Sequence, residues 1–394
     1  MLLETLRAVA PDPLLKIIGE FRADNRPRKL DLGVGVYCDE DGATPVMNAV
    51  KQAEQKLVTH QPSKAYVGLS GDMEFVRMLG ELTFGADATN NDRFLGMQTP
   101  GGSAALKLAS DLIKRGNPDA SIWVGMPCWS NHIPIFEAAG LSIKPYPYYD
   151  RSSPLIDFGR VLTALRAGKS GDAVLIQACC HNPTGTDFTA EQWVEIGRVC
   201  QQNDMIPLID LAYQGFGDGL EEDVSNLRTL VDTLPEAIVS VSCSKNFGLY
   251  RERTGAIFVL AHSSQQKEIA RSNLFVSARS SYSMPPAHGA EIVKTILADE
   301  GLTQNWKAEL SNMRDRILLM RNMLAQADLS GGLDLSYLAS QRGMFALLPL
   351  SAAHVSQLKT DNAIYMSGDG RINLAGLNRK NIDGFISAIS SLNR

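Results

Sequence analysis

Five short, mostly apolar runs recur in the middle of the chain: Ile122-Trp123-Val124, Val174-Leu175-Ile176, Pro207-Leu208-Ile209, Ile238-Val239-Ser240-Val241 and Ala256-Ile257-Phe258-Val259-Leu260. Runs of this length, bounded by polar turns, predict strands buried on both faces. Between several of them apolar residues recur at helical spacing, as over 190–202. Such alternation of strand and helix is the pattern of a mostly parallel sheet covered by helices. Upstream, Val50, Ala53 and Leu57 predict a helix over 47–60, preceded by an extended N-terminal segment that closes in the turn Gly33-Val34-Gly35-Val36. Gly101-Gly102-Ser103 opens a helix over 101–114, whose free backbone N–H groups and positive dipole end suit a phosphate. After Pro285-Pro286 comes a long helical region that includes 306–325, then short strands near 344–348 and 371–374. The expected architecture is α/β. A large domain spans 45–295, and a smaller α/β domain gathers 1–44 with 296–394.

Composition narrows the class of protein. At 394 residues the chain exceeds what one core usually supports, so two domains are expected. A net charge of −5 without a cluster of Lys or Arg disfavours nucleic acid as a partner. The six cysteines, among them adjacent Cys179-Cys180, lack metal-ligand spacing and read as reduced thiols, so no metal is expected. No long apolar stretch suggests a signal peptide or membrane span, and a cytoplasmic protein is expected.

Chemistry gathers where the apolar runs end. Ser242-Cys243-Ser244-Lys245 follows one run, with Arg253 a few positions on. A lysine amine becomes nucleophilic toward carbonyls when burial and a neighbouring cation favour its neutral form. The serine hydroxyls and the planar Arg253 fork suit a phosphate. Together they suit a phosphate-bearing aldehyde carried on Lys245, that is, pyridoxal 5′-phosphate. Asp210 and Tyr213 close the run over 205–209. In open α/β sheets ligands lie beyond the carboxyl ends of strands, and an acid there can hold a pyridine nitrogen protonated. Alone, a strand-end Asp also serves as a turn former or helix cap. Asn182-Pro183, after the run over 173–177, offers an amide donor, although Asn-Pro is equally a plain turn.

These segments, with Asp31-Leu32-Gly33-Val34-Gly35-Val36-Tyr37, Tyr66-Val67-Gly68-Leu69-Ser70-Gly71, Thr99-Pro100-Gly101-Gly102-Ser103, Trp129-Ser130-Asn131-His132, Arg279-Ser280-Ser281-Tyr282-Ser283 and Gly370-Arg371-Ile372-Asn373, resemble the aspartate and aromatic amino acid aminotransferases. These are class I, fold-type I pyridoxal-phosphate enzymes, and the resemblance runs over 32–377. It implies a seven-stranded-type sheet in the large domain and a homodimer with shared active sites. Lys245 is then the cofactor-bearing lysine and general base, Asp210 the partner of the pyridine nitrogen, and Tyr213 and Asn182 donors to its phenolate oxygen. Gly102, Ser103, Ser242, Ser244, Arg253 and Tyr66 of the neighbouring subunit surround the phosphate. Trp129 stacks on the ring, and His132 stands behind Asp210. Arg371, with Asn182 and the Gly35 backbone, grips the substrate α-carboxylate, while Arg279 meets a distal carboxylate from across the dimer. The implied substrates are amino acids and 2-oxo acids.

Two departures bear on specificity. Gln177 stands where many members of that family carry histidine, and Met284 where aspartate-preferring members carry asparagine. Methionine removes a hydrogen-bonding partner near Arg279 and adds an adaptable apolar surface. The reading is therefore transamination between an aromatic amino acid (Tyr or Phe) or aspartate and 2-oxoglutarate. A strictly aspartate-specific enzyme, a pyridoxal-phosphate lyase and a non-catalytic cofactor-binding regulator are the alternatives.

Overall fold

A computed structural model describes residues 2–8, 13–89, 91–329 and 333–392. The chain divides into two compact units, one of residues 1–44, 319–339 and 344–394, the other of 45–318 and 340–343. The division falls inside the helix Glu300–Ala325. That is later than position 295, where the sequence reading ended the larger domain.

The larger unit is built on a seven-stranded sheet in the order Phe94–Pro100, Thr254–Leu260, Ala237–Ser242, Ile206–Leu211, Ala173–Gln177, Ser121–Met126, Ser142–Pro147. Thr254–Leu260 runs opposite to the other six, which share one direction. Strands at the middle of this sheet are buried along their whole length, as the runs of Val and Ile require. Helix Gly101–Gly116 lays Ala105, Leu106, Ala109 and Ile113 on the sheet, beside Ile122, Leu208, Ile238 and Ile257. Full burial of one such aliphatic side chain contributes about 1.5–3 kcal/mol, so the sheet end is a rigid platform.

Among the elements that escaped the sequence pattern, four show why. Phe94–Pro100 was not expected as a strand, since its Gly96 and Gln98 interrupt the apolar run. Gly96 is where a Cβ would come within 2.4 Å of Val76 and 2.8 Å of Phe258, so the glycine serves packing. Ser142–Pro147 carries two prolines, which an edge strand tolerates. Helix Met73–Phe84 begins at Asp72, whose side chain accepts from the N–H groups of Glu74 and Phe75. The N-terminal segment, expected to be extended, instead contains the helix Pro13–Ala23, where proline opens a helix and Leu14, Ile17, Ile18 and Phe21 share a face.

The smaller unit holds two short sheets, Leu30–Asp31 with Ile364–Tyr365 and Phe345–Leu347 with Arg371–Asn373. Among the described residues no helix is long and apolar enough to cross a membrane.

Candidate active site

Five of the six strands of the large sheet that share one direction release their chemistry at the same end. Gly101 follows Phe94–Pro100, Trp129 follows Ser121–Met126, Asn182 follows Ala173–Gln177, Tyr213 follows Ile206–Leu211, and Lys245 follows Ala237–Ser242. Arg253 immediately precedes the antiparallel strand and so reaches this end too, because Thr254 is the register partner of Pro100 and Gly255 of Ser242.

At the centre is Lys245. Its Nζ lies 4.5 Å above the Tyr213 ring centroid. Burial is the main force on the amine, pushing it down from the ordinary 10.5 to about 8; the Asp210 carboxylate opposes the shift and the Arg253 guanidinium adds to it. Asp210 is itself buried, one residue from the end of its strand, and its Oδ2 meets His132 Nε2 at 2.9 Å. His132 is fully buried, stacked in parallel on Phe136 and edge-on to Trp129. With one ring nitrogen committed to Asp210, it holds the carboxylate in one orientation.

Beside the lysine, Ser242 Oγ lies 3.1 Å from Ser244 Oγ, and Arg253 Nη1 donates to Ser244 Oγ at 3.2 Å. These groups face the N-terminus of helix Gly101–Gly116, where Pro100 supplies no side-chain cap and Ser103 sits in the first turn. Four N–H groups at such an end lack partners within the helix and favour an anion. The fit is tight: a Cβ on Gly101 would come within 2.5 Å of Arg253 Nη2, and one on Gly102 within 3.1 Å of the Ser242 Cβ. Gly101 also has φ of +75°. Arg253 itself is held in the left-handed region at φ +50°, a conformation that costs a residue with a side chain about 1 kcal/mol or more.

Two hydroxyls, a guanidinium and an open helix end thus converge next to a buried amine of lowered pKa and a carboxylate. A phosphate-bearing aldehyde with a basic ring nitrogen fits this donor set. The family model "Aminotransferase class I and II" matches residues 27–389. The chain belongs to the class I and II aminotransferases. Among curated relatives, the tyrosine aminotransferase of Rhizobium meliloti is 51% identical over 374 residues, covering 95% of this chain and 96% of that protein. The aspartate aminotransferase of Salmonella typhi is 41% identical over 390 residues, covering 98% of each. The solved structure of the aromatic-amino-acid aminotransferase from Burkholderia pseudomallei, covalently bound to pyridoxal phosphate, has a TM-score of 0.96 at 36% identity and covers 99% of both chains. This aminotransferase uses pyridoxal phosphate as its cofactor.

Not every residue singled out by sequence lies in this cluster. Tyr66 stands 89% exposed on the larger unit. Arg279 is exposed near the end of helix Ser264–Ser281, its Nη1 donating to Ser283 Oγ at 2.5 Å. Arg371 and Gly35 belong to the smaller unit. There Arg371 Nη2 donates to the Gly33 carbonyl at 2.8 Å, its guanidinium lies 4.8 Å over the Phe345 ring, and the same ring edge approaches Gly35. Sequence reasoning missed Gly101 as the point of closest approach, and Ser240, whose hydroxyl donates to the Gly102 carbonyl. Ser240 alternates with Ser242 along one strand face, which is the signal that was available.

Two other features lie apart from this chemistry. Cys179, Cys180 and Asp223 bring possible ligand atoms within 4.8 Å of one another. However, the Asp223 carboxylate already accepts backbone N–H groups from Gly215, Gly217, Asp218 and Gly219, and contact with Cys180 together with burial keeps the Cys179 thiol protonated. A cavity of about 770 Å³ opens at the opposite end of the strands, against Ile113, Ile206, Ile238 and Val259.

Proposed function

We propose that this aminotransferase exchanges the amino group of an aromatic amino acid (tyrosine or phenylalanine) or of aspartate with 2-oxoglutarate, and that Lys245 carries its cofactor. The observation that carries the reading is the buried Lys245 amine, depressed to about 8 and set between the Asp210 carboxylate and the Ser242, Ser244 and Arg253 cluster. In this reading the two serines, Arg253, Ser103 and the backbone at Gly102 bind the phosphate. Trp129 covers the ring. Asp210, oriented by His132, meets the ring nitrogen, and Tyr213 and Asn182 donate to the phenolate oxygen.

Pyridoxal phosphate, when bound, supplies an electron-poor ring that draws electrons from the bond being broken. The chain's own residues do the rest. Arg371, with the Gly35 backbone, orients the α-carboxylate through a planar two-point contact. Lys245 Nζ takes the proton from the amino acid's α-carbon and later returns one, a task suited to an amine whose pKa lies near neutrality. Asp210, fixed by His132, would hold the pyridine nitrogen of the bound cofactor.

The names of the relatives support both substrate classes. Met284 favours the aromatic one, since it offers a half-buried apolar surface in the turn that follows the Arg279 helix. We further read the enzyme as a homodimer in which Tyr66 and Arg279 serve the active site of the neighbouring copy; an aromatic side chain left 89% exposed supports a covering partner. A cytoplasmic setting, where thiols stay reduced, suits a protein whose six cysteines form no disulfide with one another.

Borohydride reduction of the holoenzyme followed by peptide mapping should place the stable adduct on Lys245. Parallel steady-state assays with tyrosine, phenylalanine and aspartate against 2-oxoglutarate should give turnover with all three. An adduct on another lysine sinks the assignment of the site, and inactivity on both aromatic donors sinks the substrate reading.

A further inference from the structure

Three side chains, Asp187, Thr184 and Gln177, hold the loop that follows strand Ala173–Gln177. Asp187 accepts the N–H groups of Cys180 at 2.7 Å and His181 at 2.8 Å, and the Thr184 hydroxyl lies 2.9 Å from His181 Nδ1. The third side chain is Gln177. Its Oε1 accepts the backbone N–H of Asn182 at 2.9 Å, and its Nε2 donates to the carbonyl of the same residue at 3.0 Å. A side-chain amide carries a donor and an acceptor side by side, so it engages Asn182 as a neighbouring strand would. An imidazole, with its two nitrogens on opposite edges of the ring, cannot make both bonds to one residue. Only φ and ψ separate the N–H and C=O of a residue, so fixing both groups fixes the direction of its Cα–Cβ bond. Gln177 is also the register partner of Asp210, and the next N–H, of Ala178, donates to the Asp210 carbonyl at 2.9 Å.

We propose that Gln177 is a positioning residue for transamination: its amide sets the backbone of buried Asn182, and with it the aim of the Asn182 side chain, relative to the Asp210 strand. The proposal rests on the reading of Asn182 as a donor to the cofactor's phenolate oxygen. A donor on that oxygen draws off its charge and weakens its hold on the proton it shares with the Lys245 linkage. Loosening Asn182 therefore raises the pH at which the bound cofactor's visible absorption titrates.

The test compares Gln177→Met, Gln177→Glu and Asn182→Ala as reconstituted holoenzymes. Methionine keeps the length and loses both bonds; glutamate keeps the acceptor and loses the donor. Gln177→Met is expected to lower kcat by roughly tenfold, the effect of about one lost hydrogen-bond pair, and to raise the pH of the absorption change. Gln177→Glu should move that pH in the same direction, and it serves alone should the methionine variant fail to fold. Added to Asn182→Ala, neither substitution should change kcat or the titration further, because the residue being aimed is gone. An unchanged titration in the Gln177 variants, or effects that add in full to those of Asn182→Ala, would overturn the proposal. An Asn182→Ala enzyme that titrates like the wild type would instead sink the reading of Asn182 on which it rests.

Discussion

Replacing Lys245 by methionine in the cofactor-free protein separates the electrostatics of the site from its chemistry. Burial lowers the amine from 10.5 to about 8, with Arg253 adding to the shift and Asp210 opposing it. Since the folded-state value lies below the unfolded one, the unfolded chain holds more protons between the two, and stability rises with pH across that window. Below about pH 8 the ammonium is charged in both states, and the full penalty of burying it is present. One pKa unit corresponds to about 1.4 kcal/mol, which makes the penalty roughly 3 kcal/mol at neutral pH and roughly 1 kcal/mol at pH 9.5. Methionine has similar length and no charge, so the variant escapes this cost.

The apo variant should therefore be more stable than the apo wild type at pH 7, and its advantage should shrink by roughly 2 kcal/mol on going to pH 9.5. Urea unfolding followed by tryptophan fluorescence reads the difference in the right part of the chain, because Trp123, Trp129, Trp193 and Trp306 all belong to the larger unit. Groups that titrate in both proteins cancel in the comparison. A gap that is constant from pH 7 to pH 9.5, or a variant less stable at both, would refute the argument that Lys245 is held against its own charge.

Three further outcomes follow from the same geometry. Asp210→Asn should still bind the cofactor but lose turnover by several kcal/mol in the barrier, about 10²–10³-fold, as expected for removing a charge preorganised by His132; kcat within a few-fold of wild type counts against it. Gly101→Ala places a Cβ 2.5 Å from Arg253 Nη2 at φ +75°, and should weaken cofactor binding by tenfold or more, on the order of 1–2 kcal/mol, in an apoenzyme titration; unaltered affinity would show that Gly101 does not shape the phosphate end. Arg279→Leu should lower kcat/KM for aspartate more than for phenylalanine by about 2 kcal/mol or more, since only aspartate brings a distal carboxylate; equal losses would remove Arg279 from the side-chain pocket.

Much of this site was legible because its residues sit where apolar runs stop. Asp210, Ser242 and Lys245 each follow a run of Val, Ile or Leu, and the end of a buried strand is a place where a polar side chain needs a reason. The central strands were legible on the same ground, being buried on both faces. What escaped was set by neighbours distant in sequence. Phe94–Pro100 is recognisable as a strand only once Val76 and Phe258 are known to press against Gly96. The prolines of Ser142–Pro147 are acceptable only because nothing pairs beyond that edge. Gln177 was visible as a departure from the family pattern, but its grip on Asn182 depends on how the intervening loop turns back.

The antiparallel strand explains why the phosphate-binding groups assemble at all. Had Thr254–Leu260 run with its neighbours, Arg253 at its beginning would lie at the far end of the sheet, near the cavity walled by Ile206 and Ile238 rather than beside Lys245. Reversing this one strand brings Arg253 to the end at which the others finish. It also draws Gly255 against Gly101, where a Cβ would sit 3.1 Å from the Gly101 Cα and 2.4 Å from the Val241 carbonyl. Glycine at 255 is thus required by strand spacing, and glycine at 101 by the guanidinium that this spacing delivers. The hydroxyl of Ser244 accepts from that guanidinium and from Ser242. The donors are held by sheet hydrogen bonds and core packing before any ligand arrives, so little ordering entropy remains to oppose binding.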